Sequence, residues 1–314
     1  MKKKLSAVFL ALAASMPMTA QNLVKGNYGY LYCHMSDKGE WTAYAISRDG
    51  YNYQDINGGN PIFNPEEHAC IEGGTRDAYI TRMHNGKGYI MVTTDMCVRK
   101  SHKWDNYGID LLKSKDLTNW TSVTFDFRKG MQNFCDAATA TSPYKDWSAI
   151  NRVWHLRSFK TFTKLTTPKL LFDWGYATID ADINFLKSNG LYHMLIKKEG
   201  GKRGIFTATS KYLNHGWSAP VDDDFVSFEG NKLTEGSSAF QLIGDDTWRV
   251  AYIQYSDHPK HYRICKADKY LRNFSDPVDI KGVTAPQHGS FMRITKNEYK
   301  MLQKWDKELK NKAK

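Results

Sequence analysis

The feature that most constrains this chain is a unit that comes back five times. A strand ending in Ser or Ala leads into an Asp or Lys turn, then an aromatic residue and a second strand. The copies are AISRDGYNYQDI from Ala45, LLKSKDLTNWTSV from Leu111, HLRSFKTFTKL from His155, TATSKYLNHGWSAP from Thr207 and ICKADKYLRNFSDP from Ile264. Such self-similarity points to radial or stacked repeats, because one hairpin cannot bury its apolar face alone. Each copy reads as the outer hairpin of a blade, with alternating residues and an exposed turn.

Between the copies lies a second unit that begins with an acid. After Asp77 comes AYITRMHNGKGYIMVTTD, after Asp180 ADINFLKSNGLYHMLIKKE, and after Glu235 GSSAFQLIGDDTWRVAYIQYS. Each is a strand, an Asn/Asp/Gly turn and an aromatic-rich strand. Two strands of each kind make a four-stranded blade, so the chain is predicted to be all-β, a five-bladed β-propeller. HGSFMRIT from His288 completes the blade begun by YGYLYCHM at Tyr28, which removes an open sheet edge. NEYKMLQKWDKELKNKAK then places Met301, Leu302, Trp305 and Leu309 on one face of a short C-terminal helix. One copy is irregular. MQNFCDAATATSPYKDWSAINRVW, before the third outer hairpin, holds no strand, turn and strand. Blade two, counted from the blade that Asp77 opens, is therefore expected to be incomplete.

Lys2, Lys3 and Lys4 followed by LSAVFLALAA and then Met18, Thr19 and Ala20 have the order of a secretory signal peptide. The apolar run is too short for a membrane span, and the protein is expected to be secreted or periplasmic. The domain plan is a signal peptide at 1–20, a propeller at 21–295 and a basic amphipathic helix at 296–314. The formal charge of +11 falls to +8 without the three lysines of the leader, and six lysines stand in the last fifteen residues. Elsewhere Lys and Arg are interspersed with Asp and Glu, and export argues against nucleic acid as a partner. A solvated basic tail on a monomer without a membrane span is the expectation. Cys33, Cys70, Cys97, Cys135 and Cys265 are odd in number and lack CxxC spacing, so neither a zinc site nor a disulfide framework is implied. One bridge and buried free thiols both remain open.

The first strand of each blade lines the axis, so acids at strand starts converge there. Asp77 in GGTRDAYITR would alone be an ordinary turn residue beside Gly73 and Gly74. The return of the arrangement at Asp180 and Glu235 singles it out. Asp222 to Asp224 lack calcium-loop spacing. Trp104, Trp147, Trp154 and Trp174 are either sugar-stacking walls or blade packing.

At these residues the chain resembles glycoside hydrolase family 43, five-bladed propellers that hydrolyse plant-type arabinosides, xylosides and related glycosides with inversion. By that resemblance Asp77, in TRDAYI, takes the place of the general base, with Ala78 where many members have proline. Asp180, in ATIDADINF, takes that of the acid that raises the donor's pKa and orients it, and Asp182 is a close competitor. Glu235, in TEGSSAF, takes that of the general acid, with Ser237 for the usual proline. His288, in PQHGSF, resembles the axial histidine that often sits near a cavity ion or water. Arg76, Asp182, Trp174 and His288 are the expected substrate contacts. No cofactor is required, and a structural cation in the axial cavity near His288 is the one ion the resemblance suggests. Members usually follow the RVW of Arg152 to Trp154 with a full inner hairpin, so roughly forty residues look absent here.

The chemistry of the residues agrees. Inverting hydrolysis needs one carboxylate to activate water and one protonated carboxyl to donate to the leaving oxygen, about 6.5–9.5 Å apart. Asp77 suits the base if Arg76 or solvent keeps it ionised, and repulsion from Asp180 is expected to hold Glu235 protonated. The expected function is release of a terminal α-L-arabinofuranosyl or related unit from an oligo- or polysaccharide of plant type. A catalytically impaired carbohydrate-binding propeller is the alternative, and a protein-binding propeller a third. Xylosidase and galactofuranosidase stay level with arabinofuranosidase, because pocket walls decide between such sugars.

Overall fold

A computed structural model of the chain describes residues 26–83, 86–104, 106, 108–129, 153–159, 161–199, 204–220, 225–226 and 233–312. The signal peptide, Cys135, Trp147, the Asp222 to Asp224 run and nearly all of the irregular stretch before Trp154 lie outside these residues.

The repeat has a local cause in its turn. Ser47 Oγ accepts the backbone N–H groups of Asp49 at 3.2 Å and Gly50 at 2.9 Å, while Asp49 Oδ1 accepts those of Tyr51 and Asn52, both at 2.8 Å. Ser114 and Asp116 repeat the scheme on Asp116, Leu117, Thr118 and Asn119. Ser210 takes the N–H of Tyr212, and Asp268 those of Tyr270 and Arg272. A short side-chain oxygen there replaces a backbone acceptor, which is why Ser and Asp mark these turns.

The strands are β1 (Gly29–Ser36), β2 (Trp41–Ser47), β3 (Tyr53–Asp55), β4 (Arg76–Arg82), β5 (Tyr89–Thr94), β6 (Gly108–Ser114), β7 (Trp120–Asp126), β8 (Trp154–His155), β9 (Lys169–Leu170), β10 (Thr178–Leu186), β11 (Leu191–Lys198), β12 (Gly204–Ser210), β13 (Phe225–Val226), β14 (Thr234–Gln241), β15 (Trp248–Gln254), β16 (His261–Ala267), β17 (Val278–Asp279) and β18 (Pro286–Ile294). Two short helices, α1 (Pro65–His68) and α2 (Val98–Ser101), precede the C-terminal α3 (Lys296–Lys312). Three blades are antiparallel meanders in chain order, β4 to β7, β10 to β13 and β14 to β17, and the last is β18-β1-β2-β3. That blade joins the two ends of the chain, with Gly29 opposite Ile294 and His34 opposite Gly289.

The expectation of five blades needs correction. Among the described residues there are four four-stranded sheets, and where blade two was expected stands only the β8-β9 pair with a bridge from Ser158 to Leu165. The physical reason is that this segment keeps the apolar residues of an outer hairpin. Leu156, Phe162 and Leu165 pack on Leu111, Phe125 and Phe127 of the blade before it. Val153, Leu171 and Phe172 pack on Met194, Ile196 and Phe206 of the blade after it. The pair thus has a packing partner on either side.

Helix α3 is fastened at both ends. Thr295 and Glu298 form a capping box, with the Thr295 N–H donating to Glu298 at 2.6 Å and the Glu298 N–H to Thr295 Oγ1 at 3.3 Å. Glu298 also pairs with Arg82 at the end of β4, and the Asn57 N–H donates to Asp306 at 2.8 Å. Between them Leu302 is fully buried, with Met301, Trp305 and Leu309 beside it on the core that contains Leu31, Tyr44 and Met91. Among the described cysteines, Cys33, Cys97 and Cys265 are buried, Cys70 is exposed, and none is bridged. No helix among the described residues is long and apolar enough to cross a membrane.

Truncation of Leu302 to Ala should cost about 2–5 kcal/mol, the range for a buried leucine. In urea unfolding the midpoint should fall without a change of slope, while exposed Lys304→Ala stays within about 0.5 kcal/mol of the parent.

Candidate active site

Each four-stranded blade has an irregularity at the start of its innermost strand. Register slips between Arg76 and Tyr79 in β4, between Ile179 and Asp182 in β10, between Glu235 and Ser238 in β14, and opposite His34 and Ser36 in β18. A bulge sets two residues against one and re-aims a side chain. At Asp77 and Asp180 the bulged residue is itself left-handed, with φ of 53° and 56°, and in β14 the same position is Gly236 at 61°. A non-glycine residue there costs about 1–2 kcal/mol, least for Asp and Asn. Glu235 therefore stands one position earlier than the other two acids, on the last paired residue before its bulge. Gly236 is required at that place, because a Cβ on it would lie 2.4 Å from Cδ2 of His288.

The bulges bring Asp77, Asp180, Glu235 and His288 together. His288 Nδ1 lies 3.2 Å from Asp77 Oδ1 and 4.0 Å from Asp180 Oδ2, and Nε2 lies 3.2 Å from Glu235 Oε1. The Gly236 N–H donates to Asp180 Oδ2 at 3.1 Å, so Asp180 also holds the backbone beside Glu235. Asp182 is turned to a different task. Its Oδ2 accepts the Ala239 N–H at 2.8 Å and the Asn184 amide at 2.7 Å, tying β10 to β14.

The charges follow from this geometry. Burial alone would lower the pKa of His288, but Asp180, Asp77 and Glu235 outweigh it and hold the ring protonated well above the usual histidine range. Burial pushes Asp77 up, and His288 with Arg76 more than reverses that, leaving it below the usual carboxylate range. Asp180 is raised by burial, reinforced by the charges of Glu235 and Asp77. Burial lifts Asp182 to about 6.

Glu235 departs from the expectation that like-charge repulsion keeps it protonated. Burial does push it up, but His288 and Lys197 draw it down to about 2. Lys197 is the residue that sequence reasoning missed. It is buried on β11, its Nζ pairs with Glu235 Oε2 and, at 3.0 Å, with Glu199 Oε1, and it faces the Tyr255 ring at 4.9 Å. The available signal was a lysine on the inward side of the apolar strand LYHMLIKK, where a buried position opposite Ile179 demands a counter-ion.

Arg76 is buried beside the cluster. Its Nη1 donates to Glu40 at 2.6 Å, its Nε is 3.9 Å from Asp77 Oδ2, and its guanidinium lies 5.2 Å from the Trp104 ring. Trp174 is not gathered with the carboxylates. It stacks on Phe172 at 3.8 Å within the packing around Met194 and Phe206.

Asp180, Glu235 and His288 each bring one ligand-type atom within 4.8 Å of the others, the one such group among the described residues. A protonated imidazole with both nitrogens turned to carboxylates has no lone pair to offer. The residues as arranged form an ion-pair cluster around the protonated ring.

The profile of a family described as "Probable glycosyl hydrolase domain", related to glycosyl hydrolase family 43, matches residues 26–139 and 139–300. An α-L-arabinofuranosidase of Bifidobacterium longum subsp. longum is 24% identical, over 84% of this chain and 32% of its own length. The chain thus spans about a third of that curated relative. The GH43 BlXynB protein from Bacillus licheniformis superposes with a TM-score of 0.52 at 13% identity, covering 85% of this chain and 57% of that one. The 1,3Gal43A exo-β-1,3-galactanase from Clostridium thermocellum does so with 0.51 at 12% identity, over 81% and 63%. At such identities these two likenesses speak to the fold.

Two opposed ionisations set the pH response. Glu235, depressed to about 2, adds stability that is present above its ordinary 4.5 and lost as pH falls toward 2. His288, raised, adds stability that is present below its ordinary 6.5 and lost as pH climbs through the folded value. Thermal unfolding across pH should show a decline on both sides of the interval from 4.5 to 6.5, and His288→Gln should flatten the alkaline one. Gly236→Ala should lower stability by at least about 1 kcal/mol from its left-handed backbone alone.

Proposed function

The chain belongs to the glycosyl hydrolase family 43-related family, and from that premise we propose that it is an inverting exo-glycosidase releasing a terminal α-L-arabinofuranosyl unit from a plant-type polysaccharide. The observation that carries this reading is the placement of Asp77 and Glu235 on opposite nitrogens of one imidazole, each at 3.2 Å. One imidazole thus brings the two carboxylates to a common centre, where inverting hydrolysis needs them about 6.5–9.5 Å apart with room for a water.

In this mechanism Asp77, held ionised by His288 and Arg76, takes a proton from water. The water attacks the anomeric carbon from one face. Glu235 gives a proton to the departing glycosidic oxygen on the other. Asp180 keeps the Glu235 backbone in place through the Gly236 N–H and leaves the strut between blades to Asp182. Glu235 must gain its proton before it can act. Of the two donors that face it, His288 Nε2 at 3.2 Å is an imidazolium and so more acidic than the Lys197 ammonium, and a bound sugar that excludes water and loosens the Lys197 pair favours transfer from it. No cofactor enters these steps.

The name of the Bifidobacterium relative supports arabinofuranose over xylose or galactofuranose as the sugar released. Export of the chain by its lysine-led apolar leader, and action outside the cytoplasm, complete the proposal.

Hydrolysis of 4-nitrophenyl α-L-arabinofuranoside should be measurable. It should fall by about 10²–10⁴-fold in Asp77→Asn and in Glu235→Gln, the usual worth of a proton-transfer group. Proton NMR of the first turnover should show the β-anomer. Retention of configuration would overturn the assignment of Asp77 as base, and arabinose binding without turnover would return the chain to the binding-propeller reading.

A further inference from the structure

We propose that the outward face of α3 is a docking ridge for an anionic polysaccharide, a polymer whose main chain carries uronate-type carboxylates. The choice of a polysaccharide rests on the glycosidase reading, to which it adds a charged surface remote from the catalytic carboxylates.

The helix carries six lysines against three acids, and the fold turns two of those acids inward. Glu298 pairs with Arg82 and caps the first turn, while Asp306 is buried and accepts the Asn57 N–H. The outer face is left to lysines, with Glu308, 3.6 Å from Lys304, as the acid among them. Lys300, Lys304 and Lys307 are exposed and recur at the spacing that sets side chains on one side of a helix, over a length of about 10 Å. Lys304 keeps 81% of its side chain in solvent and Lys310 keeps 50%.

The ridge leads toward the cavity. Arg82, which holds the first turn of α3, ends β4, the strand near whose start Asp77 stands. The helix thus begins at the far end of the blade and runs back. Near its own end the charges of Lys310 and Lys38 both act on Asp55, whose carboxylate accepts the Thr284 N–H at 3.0 Å, just before β18. Lys38 lies in the turn between β1 and β2, where Ser36 faces Pro286 at the start of β18. In that turn Lys260 meets Asp37 at 3.4 Å and Arg99 donates to the Asp37 carbonyl. Cations therefore continue from the flank of the ring to the rim at the end where His288 and Asp77 sit.

The surroundings of the lysines select the partner. A helix that lies on a membrane needs an apolar face to enter it, and here Leu302, Met301, Trp305 and Leu309 are packed on the core. Nucleic-acid surfaces add aromatic rings that stack on bases. The rings of α3 are engaged by the fold, Tyr299 on Tyr28 at 5.5 Å and Trp305 on Tyr44 at 6.4 Å. What remains is a row of mobile ammonium groups without an apolar companion. It suits a hydrated chain with carboxylates spread along its length, and the positive balance of the whole protein draws the same sign of partner.

The test is affinity electrophoresis of the protein in native gels containing polygalacturonate or, as the neutral counterpart, linear arabinan. At low salt polygalacturonate should bind about tenfold more tightly than arabinan, a preference that shrinks as salt screens the charges. Lys300→Gln, Lys304→Gln and Lys307→Gln together should weaken polygalacturonate binding about tenfold, whereas Lys→Arg at the same three positions should keep it, because the attraction depends on charge. Both triple variants should hydrolyse aryl arabinofuranoside as the parent does. An equal loss from Lys113→Gln, Lys115→Gln and Lys187→Gln, exposed lysines on other elements, would mean that net charge alone draws the polymer and would overturn the ridge. So would the absence of any preference for polygalacturonate. Tighter binding to phosphatidylglycerol vesicles or to a DNA duplex, with the same dependence on the three lysines, overturns the polysaccharide as partner. A parent that binds polygalacturonate through these lysines but turns over no arabinoside supports the ridge and sinks the glycosidase reading alone.

Discussion

Three carboxylates drawn to one axis repel one another, by about 4 kcal/mol for each pair near 4 Å at an effective dielectric of 20, and the fold tolerates them because His288 arrives between them carrying a proton. Its two nitrogens reach three acids from three blades. Lys197 adds a second positive charge on the far side of Glu235. These two cations offset most of the negative charge that the three acids bring together. The arrangement keeps acids buried near an axis that would otherwise force them to protonate or separate.

Regular strand geometry does not deliver this convergence. The acids are aimed by bulges that recur at the same place in each blade, and two of them sit in a backbone region that L-residues avoid. Strain is thus localised where the functional groups are, and the long regular ladders below hold it in place. The third acid uses a different solution. Gly236 takes the left-handed position, Glu235 moves one residue earlier, and the space left by the missing side chain is where the imidazole lies.

Much of this was legible in the sequence because it repeats. The outer turns could be read from Ser47, Ser114 and Asp268 because a side-chain oxygen at that spacing has one local structural use. The helix was legible from the spacing of Leu302, Trp305 and Leu309. Asp77, Asp180 and Glu235 were singled out because each opens a strand near a turn, and His288 through its likeness to the family's axial histidine; the structure brings the four side chains together. What escaped depended on contacts between blades. Lys197 is distant in sequence from Glu235, and no local pattern announces the pair. Its effect on the ionisation of Glu235 is opposite to what neighbouring acids alone would do. The fifth blade was overcounted because an outer hairpin's signature survives at His155, while the inner strands that make a blade leave no signature there. Trp174 went to packing because its neighbours Phe172 and Tyr176 are aromatic too.

The blade that joins β18 to β1 has a meaning beyond removing a sheet edge. His288 rides on β18, so its positive charge reaches the axis only when that strand pairs with β1. Until then the earlier blades carry acids that push apart. Docking of β18 and neutralisation of the centre are one event. A chain cut short before residue 286 would lack both the clasp and the counter-charge, and so would hold its blades apart by the same groups that, in the finished protein, meet at the axis.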